Sequence, residues 1–160
     1  MSLVMREVAP SAALAPYVTR LCAYAEDYPE PIFRSEMAMP GVVLILGTGG
    51  PMEVNGRRMT SFTGGLGDRF AQTRIDGVTE GVEVFLTPFG ARRLFRTPMR
   101  ELANLVLPVP DVLGAWGHDL VERLGDVDDW DQRLALADAL LVERIRGAPE
   151  VGQEIVWAWG

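Results

Sequence analysis

"PGVVLILGTGGPMEVNGRRMTSF", Pro40 to Phe62, decides how this chain folds. Inside it, Val42-Val43-Leu44-Ile45-Leu46 is an unbroken apolar run rich in β-branched residues, with Gly41 and Gly47 at its ends. A run this short, bounded by glycines, fits a buried strand better than a buried helix. Gly47 to Pro51 makes a turn, and Met52-Glu53-Val54 leads into Asn55-Gly56. Asn-Gly between extended segments is the strongest short hairpin signal, so Arg58 to Phe62 returns antiparallel.

The same pattern extends on both sides. Pro29 and Pro31 break the chain upstream, and Ile32 to Met39 runs extended before Pro40. Downstream, Gly64-Gly65 turns, and Ala71–Ile75 and Gly81–Thr87 read as two strands separated by Asp76-Gly77. Many short strands between glycine turns predict a sandwich or barrel. After Pro88 the period changes. Ala91 to Phe95 is a short helix stopped by Pro98, and Trp116 to Leu124 carries Leu120, Val121 and Leu124 on one side. Asp129 or Asp131 caps a further helix, in which Leu134, Ala137, Leu141 and Ile145 form an apolar stripe ended by Gly147-Ala148-Pro149. That stripe can serve a partner subunit or cover the β domain. The expected fold class is α+β, an antiparallel β-barrel or jelly roll followed by a helical segment.

Composition removes whole classes of function. The 160 residues contain no lysine and one histidine, His118, which leaves no Schiff-base amine, no P-loop lysine and no imidazole cluster for a metal. Neither a cofactor nor a metal is expected, and no catalytic residue is assigned. The net charge of −7 lies wholly in the last third: residues 111–160 hold eleven acids and four arginines, whereas 1–110 balance. Such a surface repels a phosphate backbone. The longest uncharged run, Met37 to Met52, carries two prolines and four glycines and is too short for a bilayer span, so no membrane partner is expected. A single cysteine, Cys22, and the lack of a signal-like opening point to the cytoplasm.

Candidate chemistry is sparse. "GTGGPME" and "GGLGDRF" both miss the dinucleotide pattern and read as turns. "GDVDDWD", Gly125 to Asp131, fails a calcium loop at its sixth and twelfth positions and suits helix capping. Arg92, Arg93 and Arg96 form the one dense basic patch, either a solvated helix face or a docking surface for an acidic partner or domain. Polar residues on otherwise apolar strands matter most, because alternate residues of a barrel face inward. These are Glu36, Gln72, Arg74 and Glu83, candidates for the convergent polar groups of a ligand pocket. A slip of one residue reverses each assignment.

The stretch Glu83 to Gly114, "EVFLTPFGARRLFRTPMRELANLVLPVPDVLG", carries a more specific signal. Its Pro88, Gly90-Ala91, Phe95, Pro98, Glu101-Leu102, Asn104 and Leu113-Gly114 resemble the connection between barrel and helices in the amino-terminal domain of AraC-type transcriptional regulators. "PGVVLILGTGG" and "SFTGGL" look like strands of that barrel, and "LVERL" and "DQRLALADALLVERI" like its paired helices, Arg133 included. The resemblance runs from about Ala15 to Gly160 and implies a cupin-like sensor for a small-molecule effector, with helices that mediate homodimerisation. It implies three parts: a sensor domain over 1–110 with its connecting helix, a helical segment over 111–148 on barrel or partner, and 149–160 as the start of a DNA-binding domain absent from this chain. "EVGQEIVWAWG" would open that domain, with Val151, Ile155 and Ala158 on its apolar face, and DNA would be a partner only through it. Two other readings stay open: a metal-free cupin-type isomerase or lyase with Glu36 or Glu83 as base, and a ligand-free interaction module.

Overall fold

The computed structural model describes residues 2–64 and 66–149. The expected start of a further domain, 149–160, lies outside them except for Pro149. Among the described residues, eight strands run in the order β1 (Ser2–Val8), β2 (Val18–Glu36), β3 (Val42–Gly47), β4 (Met52–Val54), β5 (Arg57–Met59), β6 (Phe62–Gly64), β7 (Ala71–Leu86) and β8 (Val106–Pro108). Helix α1 (Pro88–Phe95) and a 3₁₀ turn, Met99–Glu101, precede β8; α2 (Val109–Gly125) and α3 (Trp130–Arg146) follow it. All strand pairs are antiparallel, in one sheet ordered β1-β2-β7-β3-β6-β8, with β4 joining β5 to β7. The fold is therefore α+β and jelly-roll-like. The sheet does not close into a barrel: β1 and β8 end its main path, and β5 pairs only with β4.

Two turns read from the sequence are instead bends in long strands. Asp76-Gly77 sits inside β7, and Pro29 and Pro31 sit inside β2. The two features face each other, since the register shifts between Tyr28 and Ile32 while Tyr28 pairs with Gly77 and Ile32 with Ile75. Gly77 takes φ +82°, which only glycine adopts without strain, so the bulge bends both strands without ending them. Proline is tolerated at such a bulge because the ladder bond is already lost there. The Asn55-Gly56 hairpin forms as expected, both residues having positive φ.

Register assigns the two faces. Leu21, Val84 and Leu44 lie side by side, as do Ala23, Val82 and Leu46, and Val18, Leu86 and Val42. All nine are buried in one core with Leu94, Leu120, Leu124, Leu134, Ala137, Leu141 and Ile145 from the helices. The stripe on α3 is thus occupied within its own chain.

Polar contacts fix the helices in place. Thr87 Oγ1 accepts from Gly90 N at 2.9 Å to cap α1, and a Cβ at Gly90 would stand 2.1 Å from the Tyr17 carbonyl, so only glycine permits this approach. Asp129 caps α3 by accepting from Gln132 N at 2.8 Å. Asp131 pairs with Arg6, and Asp138 accepts from Ser11 N and Oγ at 2.8 and 2.6 Å, so the acidic cluster and α3 hold the first strand's end. The arginine patch also works inward. Arg93 Nη2 donates to Ile145 O at 3.0 Å and Arg96 Nη2 to Arg144 O at 3.4 Å, placing cations at the negative end of α3. Arg133, only 4% exposed, donates from Nη1 to Glu80 on β7 at 2.6 Å and from Nε to Val127 O at 2.9 Å. No helix among the described residues is long and apolar enough to cross a membrane.

Candidate ligand-binding site

The residues between those of the helix-facing set point to the other face. On β2 these are Cys22, Tyr24 and Glu26; on β7, Glu83 and Phe85; on β3, Val43 and Ile45. Among the described residues no helix lines this face. The bend in β2 and β7 instead curls it, and the curled sheet encloses a cavity of about 780 Å³. Tyr24, Ile45, Val54, Phe62, Ile75 and Phe85 supply apolar walls. Met37, Met39 and Phe70, all exposed, stand in the loops that lead to it. Methionine is unbranched and adaptable, which suits the rim of a site that must fit a ligand's shape.

Charged groups converge inside. Glu26, 6% exposed, accepts from Arg34 Nη2 at 3.0 Å, and the same nitrogen donates to Tyr28 Oη at 2.7 Å. Arg34 is thereby committed. Thr73 Oγ1 lies 3.5 Å from Glu36 Oε1 in a long hydrogen bond. Glu83 is matched most loosely. Its nearest cation, Arg20, is 3.9 Å away and bonds Glu7 at 3.0 Å while lying over the Phe85 ring. Burial pushes the Glu83 carboxyl above its ordinary 4.5; Arg20 opposes this, and Glu36 and Glu26 add to it. Burial likewise drives the Tyr24 hydroxyl far above its usual range, helped by Glu83 and Glu26. That hydroxyl belongs to a side chain only 6% exposed, and among the described residues nothing hydrogen-bonds to it.

Of the four pocket candidates named from sequence, Glu36 and Glu83 line the cavity. Gln72 and Arg74 belong to the opposite face of β7 and do not. Gln72 donates to Ser35 Oγ at 3.0 Å, and Arg74 pairs with Asp76 at 3.0 Å and covers the Phe33 ring. The interface candidates Leu134, Ala137, Leu141 and Ile145 are each at most 1% exposed, inside the core. Sequence reasoning missed Tyr24, Glu26 and Arg34. Their alternation along β2 is regular, but Pro29 and Pro31 interrupt the stretch and hide that it is one strand. A second, smaller hollow of about 320 Å³ lies between the β5–β6 turn and α2, beside the exposed His118, which sits 3.3 Å from Glu122. It gathers no buried charge.

The motif that carried the family resemblance has local work in this fold. Gly90 and Ala91 let α1 lie against Tyr17, Leu102 is buried, and Asn104, with φ +58°, accepts from Asp68 N at 3.1 Å at the cavity rim. Gly114, with φ +57°, breaks α2 after its first turn. A family model described as a domain of unknown function, DUF6597, matches residues 6–108. That span runs from β1 to the last residue of β8 and includes every cavity-lining residue except Leu3 and Met5. No curated protein and no solved structure matches the chain.

Proposed function

The chain belongs to the DUF6597 family, and from that premise we propose that it is the small-molecule-sensing domain of an AraC-type transcriptional regulator. The observation that carries the reading is the cavity: about 780 Å³, apolar-walled, with buried polar groups converging from β2 and β7. That combination is the usual form of a small-molecule site. The motif from Pro88 to Gly114 supports the regulatory part. It joins the cavity strands to the helices, because β7 forms the cavity wall with Glu83 and Phe85 and continues directly into α1.

An effector acts here by preferring one arrangement of sheet and helices. A coupling of about 1–3 kcal/mol is enough for a useful change in affinity at a second site. DNA enters this reading only through a carboxy-terminal domain beyond the chain. Homodimerisation belongs to it as well, and needs a surface other than the α3 stripe, whose residues are taken up by the core.

A thermal-shift screen of metabolites and drug-like molecules, with isothermal titration of the hits, tests the sensor reading. A ligand at about a hundred times its dissociation constant adds about 2.7 kcal/mol to stability. Saturable binding that is lost in cavity variants supports the reading; a broad screen without a single shift sinks it. One observation favours an enzyme as the second reading, a metal-free isomerase or lyase with Glu83 as base: a carboxyl held above its ordinary range inside a cavity is what such a base requires. Turnover of a hit, and its loss in Glu83→Gln, separates the two.

A further inference from the structure

Charge inside the cavity is not balanced by the protein. The lining holds three carboxylates, Glu26, Glu83 and, exposed near the mouth, Glu36, and two guanidinium groups, those of Arg34 and Arg69. Arg34 is spent on Glu26 at 3.0 Å. The other lining arginine, Arg69, is 82% exposed at the rim and 3.9 Å from Asp68. Arg20, outside the lining, gives its close bond to Glu7 and stays 3.9 Å from Glu83. An anionic ligand would meet like charge here, and a neutral one would leave Glu83 with Arg20, 3.9 Å away and shared with Glu7, as its counter-charge. A cation would offset it. The rings of Tyr24 and Phe62 line the cavity and give an organic cation aromatic surface to rest on, Phe85, which already carries Arg20, adds apolar wall, and the Tyr24 hydroxyl offers a polar contact.

We propose that the cavity is selective for an organic cation with apolar substituents, a quaternary or protonated amine or a phosphonium, with its charge held by Glu83 and its substituents against Tyr24, Phe62 and Phe85. The inference deepens the sensor reading and depends on it. The raised carboxyl of Glu83 fits this role, because a bound cation favours its ionised form. Arg20, Cys22 and Tyr24 of β2 face Glu83, as does Glu7 beyond them on β1. Glu26, Arg34 and Glu36 act on it from further along β2.

The test uses the full chain and two probes of similar aryl shape, tetraphenylphosphonium and the uncharged triphenylphosphine oxide, titrated calorimetrically. The phosphonium should bind about tenfold or more tightly than the oxide. Its affinity should rise as pH climbs from the ordinary carboxyl value of 4.5 through the raised value of Glu83, since the probe itself does not titrate. Glu83→Gln should abolish both the preference and the pH dependence while circular dichroism and the melting temperature show a folded protein. Glu36→Gln, at an exposed position near the mouth, should lower phosphonium affinity by a smaller factor and keeps the test decisive if Glu83→Gln does not fold. Equal affinity for the two probes overturns charge selection, and so does a failure of the phosphonium to bind at millimolar concentration. Neutral hits in the wider screen would then leave the sensor reading standing, whereas no hit of any charge removes that reading itself.

Discussion

The two faces of the central sheet have the same strands and opposite fates. On one face, Leu21, Leu44, Leu46, Val82, Val84 and Leu86 are at most 1% exposed, packed under α1, α2 and α3. On the other, the neighbouring residues Tyr24, Glu26, Ile45, Glu83 and Phe85 line a cavity. A pleated strand sends successive side chains to opposite faces, so these sets alternate residue by residue along β2, β3 and β7. The covered face is filled by the chain's own helices and carries stability. The open face carries a carboxyl that burial holds above its ordinary range and, among the described residues, a tyrosine hydroxyl with no protein partner.

If that division is right, equal damage to the two faces has unequal effects. Leu44→Ala, on the filled face, should cost about 2–5 kcal/mol in urea unfolding, because the cavity it leaves has no route to relax. Phe85→Ala, on the open face and half-buried, should cost roughly 1–2 kcal/mol despite removing a larger side chain. A larger loss for Phe85 than for Leu44 would break the comparison.

The buried ion pair of the covered face sharpens it. Glu80→Gln leaves the Arg133 guanidinium buried without its counter-charge and should destabilise by on the order of 2 kcal/mol, below the usual figure for a fully buried pair because Glu80 is 34% exposed. Salt titration of the unfolding midpoint distinguishes this from a screened surface pair, which would respond to salt and lose little. Asp129→Ala removes the α3 cap and should cost about 1 kcal/mol, readable as a lower denaturation midpoint with an unchanged slope.

The smallest effect has the opposite sign. Glu83 binds its proton more tightly folded than unfolded, so the folded state gains from it at acid pH. That gain is complete below the ordinary carboxyl value of 4.5 and is lost as pH rises through the raised folded value. Glu83→Gln should therefore be slightly more stable than the parent near neutral pH and should flatten the pH dependence of the melting temperature between mildly acid and neutral conditions. A variant less stable than the parent at neutral pH would mean that Glu83 is a structural group after all.

Local signals foretold most of the elements. Val42 to Leu46 became β3, Asn55-Gly56 became the hairpin, Asp129 became the α3 cap, and Ala91 to Phe95 became the later part of α1, which starts earlier, at Pro88. Each of these depends on a few adjacent residues whose backbone preferences agree. The reading failed where a local breaker had a long-range answer. Pro29, Pro31 and Asp76-Gly77 look like strand ends one at a time, and are a single paired bulge once β2 and β7 lie together. The cavity was legible in half of its named candidates: an acid on an apolar strand marked Glu36 and Glu83, while the same logic also picked Gln72 and Arg74.

While β1, the first part of β2 and β8 went unread, the sequence by itself determined the central strand and hairpin from Val42 to Phe62, the change from strand to helix after Pro88, and the scarcity of imidazole and amine chemistry. These follow from residue spacing and residue types. Tertiary structure alone decided which face of each strand the helices cover, that the arginines of α1 and α3 serve the chain's own interior, and that Tyr24, Glu26, Arg34 and Glu83 meet around one cavity. Facing has a period of two, so a shift of one position inverts it, and only the pairing of strands far apart in sequence sets that register.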